Sequence, residues 1–245
     1  MRIVKGLAVR LLRKKVLIAA AAIAKCSTPG EFGPAMEVAL RKRQGDTLQF
    51  YKTIYRMIGV SFAIDTHRLL KSKALKEDER LVQRFAGDVG RFLQENGAKK
   101  ITAIDTTTMK RINSVLATQG AGETIPTIAR SIQSSAALAA MNRARATMIA
   151  RTETISASNF GSILGARATG LELNKIWIAT RDDRTRGLDP KDEYDHISMD
   201  TKPAIPLDEA FDVSGEALQY PGDPAGSAGN VINCRCAVAY EVKAG

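Results

Sequence analysis

The segment that decides the fold runs from Ala150 to Cys236 and holds six short pieces in a defined order. They are ARTET (150–154), KIWIATRDDRTR (175–186), DHISMD (195–200), PLDEAF (206–211), YPGDPAG (220–226) and NCRC (233–236). Two runs in the last third of the chain, LNKIWIAT (173–180) and CAVAYEV (236–242), have the composition of short strands. We predict that Lys175–Thr180 and Cys236–Val242 pair as antiparallel strands. The chain between them is long, loop-rich and acidic, so internal anchors must hold it compact.

Asn159 and the ARTET piece lie on a helix that the sequence predicts from Met141 to Ala168. One mixed stripe of apolar and small polar residues recurs on it at helical spacing: Met148, Thr152, Ile155, Asn159, Ile163 and Ala166. A buried amide at Asn159 must find hydrogen-bond partners. Arg151 and Glu153 lie about 200° apart around the helix, so they cannot pair with each other and each needs a separate partner.

The turn chemistry of YPGDP and the sole tryptophan indicate how the small sheet is anchored. Proline fixes φ, glycine permits a positive φ, and aspartate bonds its own backbone, so residues 220–224 are predicted to turn the chain and deliver the second strand to the first. Trp177 is expected on the face that the helix covers, because a large aromatic side chain anchors a small sheet well.

Charge divides the chain into two parts. Residues 1–170 hold 28 Lys and Arg against 12 Asp and Glu, whereas residues 171–245 hold 8 against 14. This pattern predicts a polyanion partner for the first part and a protein partner for the second, although basic helix faces that are merely solvated remain an alternative. No base-reading motif is visible, so binding to double-stranded DNA is expected to be independent of sequence. The candidate DNA-binding residues are Arg10, Arg13, Lys14, Lys15, Arg41, Lys42 and Arg43.

The remainder of the sequence predicts a mostly α protein with a small α+β C-terminal module. Hydrophobic content of 44% with only 5% aromatic residues favours a core between helices. One long amphipathic face is predicted from Ala35 to Phe62, then a helix over 74–96 that ends at Asn96-Gly97, then a helix over 101–117 capped by Asp105 or Thr106. The predicted domains are a basic apolar segment with its linker (1–34), a helical domain (35–122) and the motif-bearing module (123–245).

The first 25 residues contain seven basic residues and no acidic one. Within them, an apolar run from Val16 to Ala24 follows the basic cluster of Arg13, Lys14 and Lys15. This run is too short to span a bilayer. It has the outline of a secretory signal without a clean cleavage site. Contact with nucleic acid, a membrane surface or another subunit stays open for this segment.

His196, Cys234 and Cys236 are the only His/Cys set in the sequence that could bind a metal. Two thiolates and an imidazole suit zinc, with Asp182 or another oxygen as the fourth ligand. Two alternatives stay open: the cysteines are strand residues that share one face, with Arg235 pointing the opposite way, or they have a redox or disulfide role. Three cysteines do not form a disulfide framework, which suits a reducing cytoplasm.

The six pieces, in this order and at this spacing, resemble the phage head morphogenesis family, the Mu F-like minor head proteins, over roughly residues 125–240. The matching positions are Arg151, Glu153, Asn159, Trp177, Asp182, Arg186, Tyr220 and Asn233. The family pattern of Trp, Asp-x-x-x-Arg and His is completed by His196. This sequence differs by an acidic insert, GLDPKDEYD (187–195), between Arg186 and His196.

The resemblance implies a low-copy minor capsid protein of the virion, associated with the portal inside the head and present in the host cytoplasm during assembly. Its implied partners are the portal protein, the major capsid or scaffolding protein, and DNA. No catalytic residue and no cofactor are expected, with zinc as the exception left open. The alternatives are an enzyme, either ADP-ribosyltransferase-like through Arg151 and Glu153 or a zinc-dependent nuclease through His196, and a membrane-active protein that inserts its first 25 residues.

Overall fold

The computed structural model describes residues 1–71, 79–118 and 123–243, and it confirms a mostly α protein with a small α+β C-terminal module. The helices are α1 (Arg2–Ile23), α2 (Phe32–Arg41), α3 (Gln44–Ile54), α4 (Val60–Lys71), α5 (Glu79–Leu116), α6 (Ile125–Ser134), α7 (Ala136–Ala168) and the single turn α8 (Ala228–Val231). The strands are β1 (Leu173–Ile178), β2 (Ile205–Pro206), β3 (Phe211–Val213), β4 (Glu216–Leu218) and β5 (Ala237–Val242).

Packing divides the chain into two compact units that alternate along the sequence. The helical unit comprises residues 2–51 and 93–147, and the α+β unit comprises residues 52–92 and 148–245 together with Met1. The division into consecutive domains at 1–34, 35–122 and 123–245 stays a prediction, because it follows motifs along the chain rather than packing.

The core of the helical unit is built on the apolar face of α1. Its buried members are Val16, Ala19, Ala20, Ile23, Phe32, Met36, Ile112, Ile128, Ala129, Ile132 and Leu138. The apolar run from Val16 to Ala24 therefore contributes four side chains to this core. Among the described residues, no helix has the length and apolar character needed to cross a membrane.

Two buried cations of the helical unit are held by α5. Lys15 on α1 is 1% exposed and forms an ion pair with Asp105. Arg145 on α7 donates to Thr108 Oγ1 at 3.0 Å and to the backbone oxygen of Ile104 at 2.9 Å. Burial lowers the pKa of Arg145 to about 10, so the guanidinium remains charged at neutral pH. Because an unpaired buried charge is costly, these partners fix α1 and this part of α7 against α5.

The predicted stop at Asn96-Gly97 is wrong, since α5 runs through it without a break. Gly97 is buried, and a Cβ at this position would lie 3.6 Å from Leu48 Cδ1, so the chain there is packed against a neighbour. Tertiary packing of this kind overrides a weak local preference for a helix end. Asp105 and Thr106, which were expected as caps, lie inside the same helix.

Other predicted breaks shift by a few residues. The linker predicted within residues 1–34 is short, because a 3-10 turn over Pro29–Glu31 leads directly into α2. Pro34 then lies in the first turn of that helix, where its missing N–H is not needed. Helix α7 begins five residues before Met141. The predicted helix start at residue 74 and the predicted end of the helical domain at residue 122 lie outside the described residues.

The single long amphipathic face predicted from Ala35 to Phe62 is divided among α2, α3, a π-helical turn over Tyr55–Gly59, and α4. Phe62 was expected in the core, but its side chain is exposed (47%) because the π turn changes the helical phase ahead of it. His67 is buried on α4.

The π turn and α4 approach α7 to backbone contact. A Cβ built on Gly161 would lie 2.0 Å from the backbone oxygen of Gly59, and one built on Gly165 would lie 2.2 Å from that of Ala63. No side chain fits at either position on α7, so glycine permits the two helices of the α+β unit to touch directly.

The sheet confirms the predicted strand pairing. β1 pairs antiparallel with β5, with Trp177 opposite Val238, and β2 pairs with the other edge of β1. Trp177 is 1% exposed in a core that includes Ile163 and Ala166 of α7, so it lies on the covered face as predicted. The expectation that only two runs form strands is wrong, because β2 adds a third strand and β3 pairs with β4 as a hairpin.

Replacing Gly161 with alanine should destabilise the protein, because the added Cβ meets the backbone of Gly59. We expect Gly161→Ala to lower the free energy of unfolding by about 1–3 kcal/mol, the usual cost of overpacking. Gly87→Ala is the matched control, since a Cβ on this helical glycine would meet nothing within 4 Å. The control should gain about 0.5–1 kcal/mol from its higher helix propensity. Urea denaturation measures both, and equal stability of the two variants would contradict the contact.

Candidate functional site

Asn159 is the central polar residue of the α+β unit. Its Nδ2 donates to the backbone oxygens of Pro221 at 2.9 Å and Cys236 at 3.0 Å. Its Oδ1 accepts from the backbone N–H of Val238 at 3.2 Å. The side chain is buried, so the predicted need for hydrogen-bond partners is met by the backbone. One amide on α7 thereby holds both the YPGDP turn and β5.

The YPGDP turn lies directly on α7. Gly222 has a φ of 84°, and a Cβ there would lie 3.2 Å from Ser156 Cα, so both the conformation and the close approach require glycine. Asp223 closes the turn by accepting from the backbone N–H groups of Gln219 at 2.8 Å and Ala225 at 2.9 Å. Tyr220 is buried in the core of the unit. The predicted role of this piece as a turn therefore matches its geometry.

ARTET and NCRC contact each other. Arg151 Nη1 donates to Asn233 Oδ1 at 3.2 Å, and the backbone N–H of Asn233 donates to Thr152 Oγ1 at 3.0 Å. Asn233 has a φ of 61°, a left-handed conformation that asparagine tolerates better than most residues. The first residue of NCRC is thus held by two consecutive residues of ARTET.

Glu153 has a different partner from Arg151, in agreement with their predicted separation around the helix. Glu153 is buried and accepts from the Tyr55 hydroxyl at 3.2 Å, and the same hydroxyl lies 2.8 Å from Ser156 Oγ. Burial, and then the charge of Glu153, raise the pKa of Tyr55 well above its usual value, so the phenol keeps its proton. Arg151 is only half-buried. An ADP-ribosyltransferase-like reaction needs a carboxylate that substrate can reach, and Glu153 is enclosed.

Asp182 and Arg186 brace the loop that follows β1. Asp182 accepts from the backbone N–H of Arg184 at 3.0 Å and pairs with the guanidinium of Arg235. Arg186 donates to the backbone oxygen of Ile232. Of the two suggestions for a fourth zinc ligand, Asp182 or another oxygen, Asp182 is wrong, because its carboxylate lies apart from the His196, Cys234 and Cys236 donor atoms and pairs with Arg184 and Arg235 instead.

The two ends of the insert 187–195 lie close together. The backbone oxygen of Arg186 accepts from the N–H groups of His196 at 2.9 Å and Ile197 at 3.0 Å. The residues on either side of the insert are therefore bonded to each other, and His196 keeps a fixed position relative to Arg186 despite the added length.

His196, Cys234 and Cys236 come together, with exposures of only 2–3%. His196 Nδ1 lies 3.7 Å from Cys234 Sγ and 3.6 Å from Cys236 Sγ, and both thiols are free of disulfides. The hydrogen bond between the cysteines, with burial, raises the pKa of Cys234. Hydrogen bonds from Cys234 and His196 lower the pKa of Cys236, although burial opposes them. The group can hold a soft divalent cation.

Asn230 and Glu216 orient His196, although no pattern in the sequence singles them out. His196 Nε2 lies 2.6 Å from Asn230 Oδ1. Asn230 Nδ2 donates to Glu216 Oε2 at 3.0 Å and to the backbone oxygen of Val213 at 3.3 Å. Since these acceptors fix the amide, Oδ1 must accept, and His196 donates from Nε2 with Nδ1 left facing the sulfurs. Both residues lie in short elements without periodicity, so only the tertiary structure reveals them.

The candidate DNA-binding residues all lie in the helical unit, but one of them is misassigned. Arg10, Arg13, Lys14, Arg41, Lys42 and Arg43 are exposed. Lys14 pairs with Asp46 at 2.8 Å and Arg41 with Glu37 at 2.7 Å. Lys15 cannot contact a phosphate, because it is buried in its ion pair with Asp105.

Removing the Asn159 amide should weaken the α+β unit. Asn159→Ala leaves two backbone oxygens and one backbone N–H unsatisfied, each costing about 1–3 kcal/mol, so we expect a loss of at least about 3 kcal/mol or an insoluble protein. Asn142→Ala, at a half-buried asparagine of the same helix, is the control and should change stability by less than about 1 kcal/mol. Denaturant unfolding of both variants is the measurement, and a mild effect at Asn159 equal to the control would contradict its central role.

Comparison with known proteins gives a match over the segment that carries these contacts. A family model described as phage Mu protein F like protein matches residues 110–239, which is more than half of the chain. No curated protein and no solved structure matches. The matched range includes ARTET, the YPGDP turn, His196 and NCRC, whose mutual contacts build the α+β unit. The chain therefore belongs to the phage Mu protein F-like family of phage head morphogenesis proteins.

Proposed function

We propose that this protein is a minor component of the phage head, in low copy beside the portal on the inner side of the shell. There it acts in head assembly, and its helical unit binds packaged DNA without sequence preference. Family membership gives the coarse role, that of a structural protein of phage head morphogenesis. The position beside the portal and the binding of DNA are our inference.

The distribution of charge is the observation that carries the DNA proposal. The helical unit holds 17 Lys and Arg against 6 Asp and Glu, a net charge of +11, whereas the α+β unit holds 19 against 20. The whole positive charge of the chain, +10, therefore arises from the helical unit. Neutralisation of phosphates by such a surface releases counterions and drives binding that is independent of sequence.

The α+β unit suits a protein partner better than DNA. Its insert 187–195 carries the exposed acidic residues Asp189, Asp192 and Glu193 beside Leu188, whose side chain is 51% exposed. The acidic groups are repelled by the phosphates of DNA, and together with the exposed apolar side chain they fit a basic protein surface. We therefore propose that this unit contacts the portal protein or the major capsid or scaffolding protein.

An enzyme is the less favoured alternative. Glu153, the candidate carboxylate, is 6% exposed and bonded to Tyr55. His196, the candidate nuclease ligand, is 2% exposed. Neither residue presents a reactive atom to a substrate in the part of the chain that the structure describes.

Neutralising exposed cations of the helical unit should weaken DNA binding. In Arg10→Ala/Arg13→Ala/Lys42→Ala/Arg43→Ala, the negative slope of log K against log salt should become shallower by up to about 3–4, because each phosphate contact contributes about −0.9 to it. The control removes as many exposed cations from the α+β unit: Lys52→Ala/Arg56→Ala/Lys191→Ala/Lys243→Ala. Its slope should change little. Gel shifts over a salt series test this; equal losses in both variants, or no binding at low salt, refute the proposal.

The position in the head is tested on particles. Phage made without this protein should give defective or unstable heads, and electron micrographs of wild-type particles should place its density at one vertex, inside the shell. Density spread evenly over the shell, or particles that lack the protein altogether, would contradict the assignment to the portal vertex.

A further inference from the structure

Three soft ligand atoms converge inside the α+β unit, and we propose that His196, Cys234 and Cys236 bind a structural zinc ion. All three side chains are buried, and their donor atoms lie within 4.8 Å of one another. They form the only such group of three or more His, Cys, Asp or Glu among the residues that the structure describes. The proposal goes beyond the assembly role and does not depend on it.

The distances match those between two ligands of one metal ion. Zinc bonds nitrogen at about 2.0–2.1 Å and sulfur at about 2.3 Å, so a tetrahedral angle places these atoms about 3.5–3.6 Å apart. His196 Nδ1 lies 3.7 Å from one sulfur and 3.6 Å from the other. The two nitrogen-to-sulfur distances therefore need to change by only about 0.1–0.2 Å to suit one ion, and the donor atoms of all three side chains lie within 4.8 Å of one another.

The hydrogen bonds around His196 select the ligand nitrogen. Asn230 Oδ1 accepts from Nε2 at 2.6 Å, and the amide of Asn230 is itself fixed by Glu216 and the backbone oxygen of Val213. Metal-binding histidines commonly donate their second ring N–H to such an acceptor, which fixes the tautomer and the ring plane. The lone pair of Nδ1 consequently faces the two sulfurs.

Charge balance favours a divalent ion at this buried position. Two thiolates and a neutral imidazole bring two negative charges, and zinc cancels both, so the filled site is electrically neutral. A neutral group suits the surroundings, where the Trp177 ring packs edge-on against His196 with centroids 5.3 Å apart. A bare thiolate at this depth is far more costly.

The ion would act as a cross-link in a loop-rich region. It would join His196 to Cys234, which is 38 residues further along the chain, and to Cys236, which immediately precedes β5. The described residues offer no fourth side-chain ligand of this kind, so an oxygen donor such as a water molecule would complete the coordination of a bound ion. Because the three ligands are buried, a substrate has no access, and the role is structural.

Metal content of the purified full-length protein is the first test. We expect about one zinc per chain by elemental analysis and native mass spectrometry, and loss of this zinc in Cys234→Ser and Cys236→Ser. Cys26→Ser is the matched control, because Cys26 lies in the helical unit and should leave the zinc content unchanged. A different metal at the same ratio would overturn the zinc assignment.

Wild-type protein alone keeps the proposal testable where the cysteine variants fail to fold. Cobalt substitution should give the sulfur-to-cobalt charge-transfer band and the visible bands of a tetrahedral thiolate site. Chelation should lower the melting temperature, and added zinc should restore it. Protein that takes up neither zinc nor cobalt while its thiols are reduced, or a Cys234–Cys236 disulfide in protein isolated from the cytoplasm, overturns the proposal.

Discussion

The side-chain amide of Asn159 is the interaction on which the α+β unit depends. It satisfies two backbone oxygens and one backbone N–H that belong to the YPGDP turn and to β5. Because a buried polar group without a partner is costly, the turn and the strand can move away from α7 only by leaving these groups unsatisfied. The register of β5 on the helix then fixes β1, and Trp177 on β1 closes the core.

Sequence reasoning recovered the parts of the fold that repeat a local pattern or use a rare residue. The helical period of α7 identifies the stripe that contains Asn159 and places Arg151 and Glu153 on different faces of the helix. Alternation and β-branched residues identify β1 and β5. Prediction from the sequence fails where tertiary contacts decide the structure. Helix α5 continues through Asn96-Gly97 because Gly97 is packed against Leu48, and Lys15 can be buried because it pairs with Asp105.

The candidate site was recovered in part for the same reason. Histidine and cysteine are scarce in this chain, so the sequence alone predicts a group of His196 with the two cysteines. Its supporting residues, Asn230 and Glu216, belong to no recognisable motif in the sequence, and only the fold brings them to His196. Strands of two or three residues, such as β2 and β3, are too short to show alternation.

The motif pieces contact one another, and this explains why the insert at 187–195 does not disrupt their arrangement. ARTET holds Asn233 of NCRC, Asn159 holds the YPGDP turn, and the backbone of Arg186 holds His196. Since the residues flanking the insert 187–195 are bonded to each other, residues can be added there at little cost in loop-closure entropy and without displacing either flank. The contacts fix the site, and because Arg186 holds His196 directly, a change in the length of the insert leaves the position of His196 unchanged.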